Sequence, residues 1–348
     1  MIRIFRLLCC SVVLLPLVVF GEKQGPPAVG LIVASAGEAV VLVNPVTGTT
    51  RSIASGPVAW LFPAPGGTLF APDLVHGKTT VLDLRTQTTL EPIDGVTMPH
   101  FGTLADRYLV VAQHLLVVSY PERALMNRFD IPFRHPWQVE VAADNTVLLV
   151  LERDPTGEGG TALVAVNLSD GRFVYRRALG GDVRHFALSP ALGVIALADA
   201  SQDRVVLSDP ATLTPKAIYE TTGSPVDLTF VDDGAILVVA NELSSGGGEL
   251  EIWKIKADKK RGLVRKKQWQ VALSGSPVRL AASPDLRHVA VGNAEGGVEI
   301  VDVDARMVVL AVELEGAPRD IVWCDPSTPG PTLPEWSDDD PPSLGLGD

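Results

Sequence analysis

Arg184, Asp227, Arg279 and Asp320 alternate in sign and stand in similar settings, within GDVRH, GSPVDL, GSPVRL and GAPRDI. A guanidinium reads a carboxylate or phosphate with two parallel N–H donors, so the two arginines could hold an anionic or zwitterionic small ligand. His185, Asp227 and Asp320 could move a proton, which is what a lactone-opening hydrolase requires. The same charges could instead pair with one another as a structural belt. Such a pair gains little net stability after desolvation, yet losing one partner costs about 3–5 kcal/mol. Aligned on the residues that open these segments, the third position of successive repeats reads Ala59, Phe101, Gln138, Arg184, Asp227, Arg279 and Asp320.

A second concentration of charge is the run Lys254, Lys256, Lys259, Lys260, Arg261, Arg265, Lys266 and Lys267, with Asp258 the only acid inside it. In a chain of formal charge −12 this patch is anomalous. It could dock weakly on an anionic surface, lipid headgroups or an acidic partner, at about 1 kcal/mol per basic residue near a membrane; the plainer reading is a solvated hairpin. The overall acidity argues against nucleic-acid binding, which needs clustered cations to neutralise phosphates.

Other chemistries lack a signature. There is no HExxH helix, GxSxG elbow, P-loop, CxxCH or EF-hand loop, so no cofactor or metal is expected. His76, His100, His114, His135, His185 and His288 are dispersed without ligand spacing. A ring could gather His100, His135 and His185, but three imidazoles would have to lie within about 2.1 Å of one ion, and isolated polar residues are the preferred reading.

The elements that position these residues are short strands. Hydrophobic residues make up 46% and aromatics only 6%, with 27 Pro and 32 Gly, which describes aliphatic strands punctuated by turns. Apolar strands end in turn at Asn44, Asp83, Ser119, Asn167, Asp209, Trp253 and Asp302. An Asx side chain at a strand end folds back on the backbone and opens a hairpin loop. Seven copies at intervals of 36 to 49 residues, each preceded by a Gly- or Pro-initiated strand, read as four-stranded antiparallel propeller blades. The first repeat begins at its second strand, GLIVAS, and the chain supplies an extra first strand, PRDIVW, near its end. Joined, they complete one blade and remove exposed sheet edges. The fold expected is all-β, a single seven-bladed propeller over residues 29–324, closed by the C-terminal strand joining the N-terminal blade.

Val238-Val239-Ala240-Asn241-Glu242 followed by Leu250-Glu251-Ile252-Trp253, together with VGNAEGGVEIVD at 291–302, resembles the YVTN or WD40-like family of bacterial seven-bladed propellers. The resemblance extends more weakly over most of the chain, and the third repeat departs from it at Gln113-His114. It implies the fold; the family includes binding proteins and enzyme domains, so it does not fix an activity.

The flanking segments differ in character. Arg3 and Arg6 precede an apolar stretch from Leu7 to Phe20, and Val19 and Gly21 supply small residues before Glu22, the pattern of a cleaved signal peptide over residues 1–21. The stretch is shorter than the roughly 20 residues that span a bilayer. Cleavage would leave Cys324 as the single cysteine, expected to be buried after Ile321, Val322 and Trp323. Residues 325–348 carry six prolines, six acids and no base, and are expected to be disordered. The combined expectation is an extracytoplasmic, periplasmic or secreted, non-catalytic scaffold that binds a protein or small ligand through one face. A lactonase- or hydrolase-like propeller is the alternative.

Overall fold

The computed structural model describes residues 30–325, apart from 56–57, 59, 65–66, 74–77, 91–99, 105–106, 112–114, 120–124, 130, 143–145, 155–159 and 261. The expected leader, its cleavage site, the acidic tail beyond Asp325 and Arg261 therefore lie outside the described residues.

The chain is an all-β propeller of four-stranded antiparallel blades. In the first sheet β1 (Leu31–Ala36), β2 (Ala39–Val43) and β3 (Thr50–Ser55) are joined by β28 (Pro318–Cys324). The next comprises β4 (Phe62–Ala64), β5 (Thr68–Asp73), β6 (Lys78–Asp83) and β7 (Thr88–Leu90). It is followed by β8 (His100–Leu104), β9 (Arg107–Val111), β10 (Leu115–Ser119) and β11 (Leu125–Phe129). The fourth holds β12 (Pro136–Val141), β13 (Val147–Arg153), β14 (Thr161–Asn167) and β15 (Phe173–Ala178). The fifth holds β16 (Val183–Ser189), β17 (Val194–Asp199), β18 (Arg204–Ser208) and β19 (Pro215–Glu220). Next come β20 (Ser224–Val231), β21 (Ile236–Glu242), β22 (Gly248–Asp258) and β23 (Gly262–Leu273). The last sheet is β24 (Pro277–Ala282), β25 (His288–Asn293), β26 (Gly297–Asp302) and β27 (Met307–Glu313).

Burial follows position within a blade. Strands β17 and β25, second in their sheets, are buried at every residue, whereas the outer β19 and β27 alternate partly buried with exposed residues. A strand enclosed on both faces must be apolar throughout, and an edge strand buries only one face. Among the described residues, six apolar clusters each draw side chains from two neighbouring sheets. One joins Ile32, Ala34 and Trp323 to Ala281, Ala290 and Ile300, so the two ends of the chain share a core with the last repeat.

The seam lies where the orphan strands predict it. Strand β28 pairs antiparallel with β1, setting Ile321 opposite Ala34 and Trp323 opposite Ile32. Gly30 has φ +95°, and a Cβ there would lie 2.5 Å from the Cys324 carbonyl oxygen, so this approach requires glycine. The innermost strands also meet in succession: β28 touches β4, β4 touches β8, β8 touches β12, β12 bonds to β16 through Gln138, β16 touches β20, β20 touches β24, and β24 returns to β28.

The turn positions behave as expected at most repeats. Asn44 Oδ1 accepts from the backbone N–H of Val46 and Thr47 at 2.9 and 3.0 Å, and Asp209 Oδ1 does the same for Ala211 and Thr212 at 3.1 and 3.0 Å. The side chain of Ser119 lies outside the described set, and Trp253 departs from the pattern. It lies fully buried inside β22, and the turn carboxylate is Asp258, which accepts from Lys260 N–H at 2.9 Å. The hairpin is simply longer here, so the strand runs past the position where the other repeats turn.

Candidate functional site

Near the start of each well-described innermost strand, a residue paired to the neighbouring strand is followed by a bulged residue and then by the residue that faces the next blade. Pro136, Val183, Pro225, Pro277 and Pro318 take the first place, and the ladder shifts by one immediately after each. The facing position is therefore Gln138, His185, Asp227, Arg279 and Asp320. His185, not Arg184, belongs to this set. The alignment slips because Val183 stands where Pro136, Pro225, Pro277 and Pro318 stand in other repeats, so counting from Asp182 begins one residue early. The same correction applies in the second blade, where Val58 bridges to Asp73 and so moves the facing place from Ala59 to Trp60.

These side chains tie each blade to the next. Gln138 Nε2 donates to the Phe186 carbonyl at 2.7 Å and its Oε1 accepts from Phe186 N–H at 2.9 Å. Asp227 Oδ2 accepts from Leu280 N–H at 2.8 Å, and Asp320 Oδ2 accepts from Leu61 N–H at 2.8 Å. Asp227 Oδ1 also accepts from Leu228 N–H at 2.7 Å, and Asp320 Oδ1 from Ile321 N–H at 3.0 Å. Three blade-to-blade joints thus use one device: a side-chain oxygen on one inner strand caps the backbone N–H one residue past the facing position on the next.

Charge pairing overlies this framework. His185 Nδ1 lies 2.7 Å from Asp227 Oδ1, at ion-pair distance but off the line of a well-aligned hydrogen bond. Arg279 Nε lies 3.5 Å from Asp320 Oδ1. Burial by itself would raise Asp227, but the adjacent His185, the Arg279 charge and the Leu280 N–H outweigh it and hold the carboxyl below its ordinary range. Asp320 goes the other way. Burial raises it to about 6, with the Asp227 charge adding to the rise and Arg279 and the Leu61 N–H only partly opposing it.

Above this floor sits a cluster the sequence did not disclose. Trp60 and Trp137 meet edge to face with ring centroids 6.0 Å apart. The guanidinium carbons of Arg153 and Arg279 lie 5.1 and 5.6 Å from the Trp137 centroid, within cation–π range. Trp137 Nε1 donates to the Arg184 carbonyl at 3.1 Å. Asp182 joins the rim together, with Arg153 Nη2 at 3.0 Å and Arg184 Nε at 3.1 Å, and Arg184 Nη1 reaches toward Glu242 Oε2 at 3.7 Å. Arg184 is therefore a rim residue. Trp137 occupies the bulge position of β12, just as Arg184 does in β16, so the bulge aims both at the mouth. The available signal was the pair of tryptophans beside the aligned positions.

His135 is exposed in a left-handed backbone conformation, φ +47°, well apart in character from the half-buried His185. The side chain of His100 lies outside the described set. Among the described residues no three His, Cys, Asp or Glu side chains converge in a way that could hold a metal ion.

The motif behind the family resemblance is structural. Glu251 is fully buried, and its Oε1 accepts from Thr222 N–H at 2.6 Å, Thr222 Oγ1 at 2.7 Å and Asn241 Nδ2 at 2.9 Å. Its Oε2 accepts from Trp253 Nε1 at 2.7 Å and from Gln268 Nε2. The next repeat does the same with Glu299, which accepts from Ser274 N–H at 3.0 Å, Ser274 Oγ at 2.9 Å and Asn293 Nδ2 at 3.4 Å. The Asn and Glu of the motif join the second and third strands to the loop entering the blade.

In the basic hairpin, Lys254 and Lys267 face each other across the ladder. Arg265 is committed to packing, its guanidinium 4.7 Å over Trp253 and 5.0 Å over Tyr219. Lys256, Lys259, Lys260, Lys266 and Lys267 are exposed, and Lys266 comes within 4.0 Å of Asp258.

No protein-family model matches the chain, and no curated protein matches it. Solved structures do. A putative 6-phosphogluconolactonase from Bacteroides fragilis is similar with a TM-score of 0.62 at 13% identity, over 87% of this chain and 100% of that one. The β-propeller domain of Myceliophteria thermophila Cps50 (Swd1) gives 0.62 at 13% identity, over 79% and 93%. Kuenenia stuttgartiensis hydrazine synthase gives 0.62 at 14% identity, over 78% and 90%. At such identities the likeness extends to the propeller fold alone.

Proposed function

We propose that the protein is a non-catalytic binding propeller of the YVTN or WD40-like kind, with seven blades in one ring, that recognises a protein or small ligand through the face around Trp60, Trp137, Arg153 and Arg184. One observation carries this reading. The acids that could do chemistry at the channel mouth, Asp227 and Asp320, each hold a backbone N–H of the next blade as well as one of their own, so their oxygens are committed to the ring's geometry. What the rim offers instead is half-buried aromatic surface edged by guanidinium groups, the composition that anchors interfaces. The proposal includes export through a leader cleaved before Glu22, a reading supported by Arg3 and Arg6 ahead of the apolar stretch from Leu7 to Phe20.

The enzyme alternative has one specific support: His185 stands against a buried carboxylate, the arrangement that orients a general base. The lactonase named among the similar folds keeps that alternative in view. Elemental analysis and a δ-lactone hydrolysis assay, with and without added divalent metal, separate the two. No turnover is expected; turnover abolished by His185→Ala overturns the scaffold reading. Affinity capture from the source extracytoplasmic fraction supplies the positive arm. Trp137→Ala should lose the captured partner while remaining folded, and identical recovery would remove this face from consideration. Mass spectrometry of the exported protein should find Glu22 at the N-terminus.

A further inference from the structure

The basic hairpin lies on the opposite side of the ring from the mouth, and its geometry points to an occupant. Six of the chain's nine lysines lie between 254 and 267. In that blade Val231 pairs with Ile236, Ile236 with Lys254, and Lys254 with Lys267, so both lysines stand at the level where the inner strand ends. Counting four residues beyond the facing position, Val231 after Asp227 corresponds to Cys324 after Asp320. The chain therefore leaves β28 at the level of Lys254 and Lys267, and the hairpin from Ile255 to Arg265, two blades away, extends beyond that level.

We propose that the acidic segment at 335–340 of this same chain docks on the hairpin, pairing Glu335, Asp338, Asp339 and Asp340 with Lys256, Lys259, Lys260, Lys266 and Lys267. The charge match is one-sided in both directions. Residues 325–348 hold six acids and no base, while the hairpin holds a single acid between 254 and 267. These five lysines are exposed, and stacked Arg265 fixes the strand that carries Lys266 and Lys267 without competing for the ligand. The reach suffices. Two sheet spacings of about 10 Å and two to three strand spacings of about 4.8 Å separate the exit from the hairpin, roughly 25 Å in all. From Cys324 to Asp338 the chain has 14 residues, or about 43 Å at ~3.1 Å per residue in the extended form that prolines favour. A tether of that length holds the acids at high local concentration. The charge that would attract an external anionic surface is then already covered.

Zero-length carbodiimide cross-linking of the full chain at about 20 mM salt, followed by peptide mapping, tests this. Amide links from Lys259, Lys260 and Lys266 to residues 335–340 are expected, falling at least tenfold at 1 M salt, where the screening length is about 3 Å. A mixture of isotope-labelled and unlabelled chains should show them within single chains. Links that are absent, that run only between chains, or that form equally at exposed Lys216 overturn the proposal. The K259E/K260E/K266E variant should also lose tail links at the remaining Lys256 and Lys267, and an unchanged yield there overturns it as well. Vesicles of phosphatidylglycerol and phosphatidylcholine report the competing occupant. The D338N/D339N/D340N variant should bind them at least fivefold more tightly than the unaltered chain, whereas equal, measurable binding by both assigns the hairpin to lipid.

Discussion

Replacing Glu140 by Gln should stabilise the protein above neutral pH and leave it nearly unchanged in acid. Glu140 lies on the inner strand β12, two residues past Gln138 and so on the same face. The matching residues of four other inner strands are Ala187, Thr229, Ala281 and Val322, so these described positions offer it no cation. Burial raises this carboxyl from 4.5 to about 8. At ~1.4 kcal/mol for each tenfold change in proton affinity, that gap bounds the penalty on the charged form at about 5 kcal/mol. The side chain keeps partial solvent access although protein surrounds its carboxyl, so about 2–3 kcal/mol is the better figure. The sign follows from the folded value lying above the unfolded one. The native state binds the proton more tightly, so stability is lost as pH rises from about 4.5 through about 8 and the full penalty stands above that. Urea unfolding of both proteins at pH 4, 7 and 9 measures the difference. The variant's advantage should grow from near zero to about 2–3 kcal/mol; parallel pH profiles would refute the claim that burial raises the Glu140 carboxyl.

Asp227→Ala should cost about 3–5 kcal/mol at pH 7, because it strands the Leu280 N–H and leaves His185 without its carboxylate, while Arg279 keeps Asp320. Since Asp227 is held below its ordinary value, wild-type stability from this group is present above about pH 4 and lost on further acidification, so thermal unfolding of the two proteins should converge toward pH 2. Glu251→Ala should destabilise by about 3 kcal/mol or more, removing the acceptor for Thr222, Asn241, Trp253 and Gln268, with hydrogen exchange rising first at Thr222 N–H. Cys324 is buried and its thiol pushed up to about 12, so in the folded Cys9→Ser/Cys10→Ser protein a thiol reagent at pH 8 should modify it only at the rate of unfolding.

The periodic apolar strands, the Asx turns and the complementary orphan strands were legible because each depends on local pattern or on a simple count of strands. The polar motif around Asn241 and Glu251 was also visible, although its work is internal bracing. Arg184 and His185 show where reading along the chain stops. Adjacent residues go to the rim and to the belt, and the choice rests on a bulge after Val183 that a proline-based alignment places one residue early. The meeting of Trp60 with Trp137, and of Trp137 with Arg279, was not readable at all. Those residues come from three different blades.

The sequence by itself determined which segments become strands and that the two ends must share a sheet, because alternation, turn chemistry and unpaired edges act over a few residues or over whole strands. Only the tertiary structure decided which charged and aromatic side chains meet at the axis and which acid, Glu140, is raised by burial. Those outcomes depend on bulge positions and on the register between blades, where a shift of one residue sends a side chain to a different neighbour.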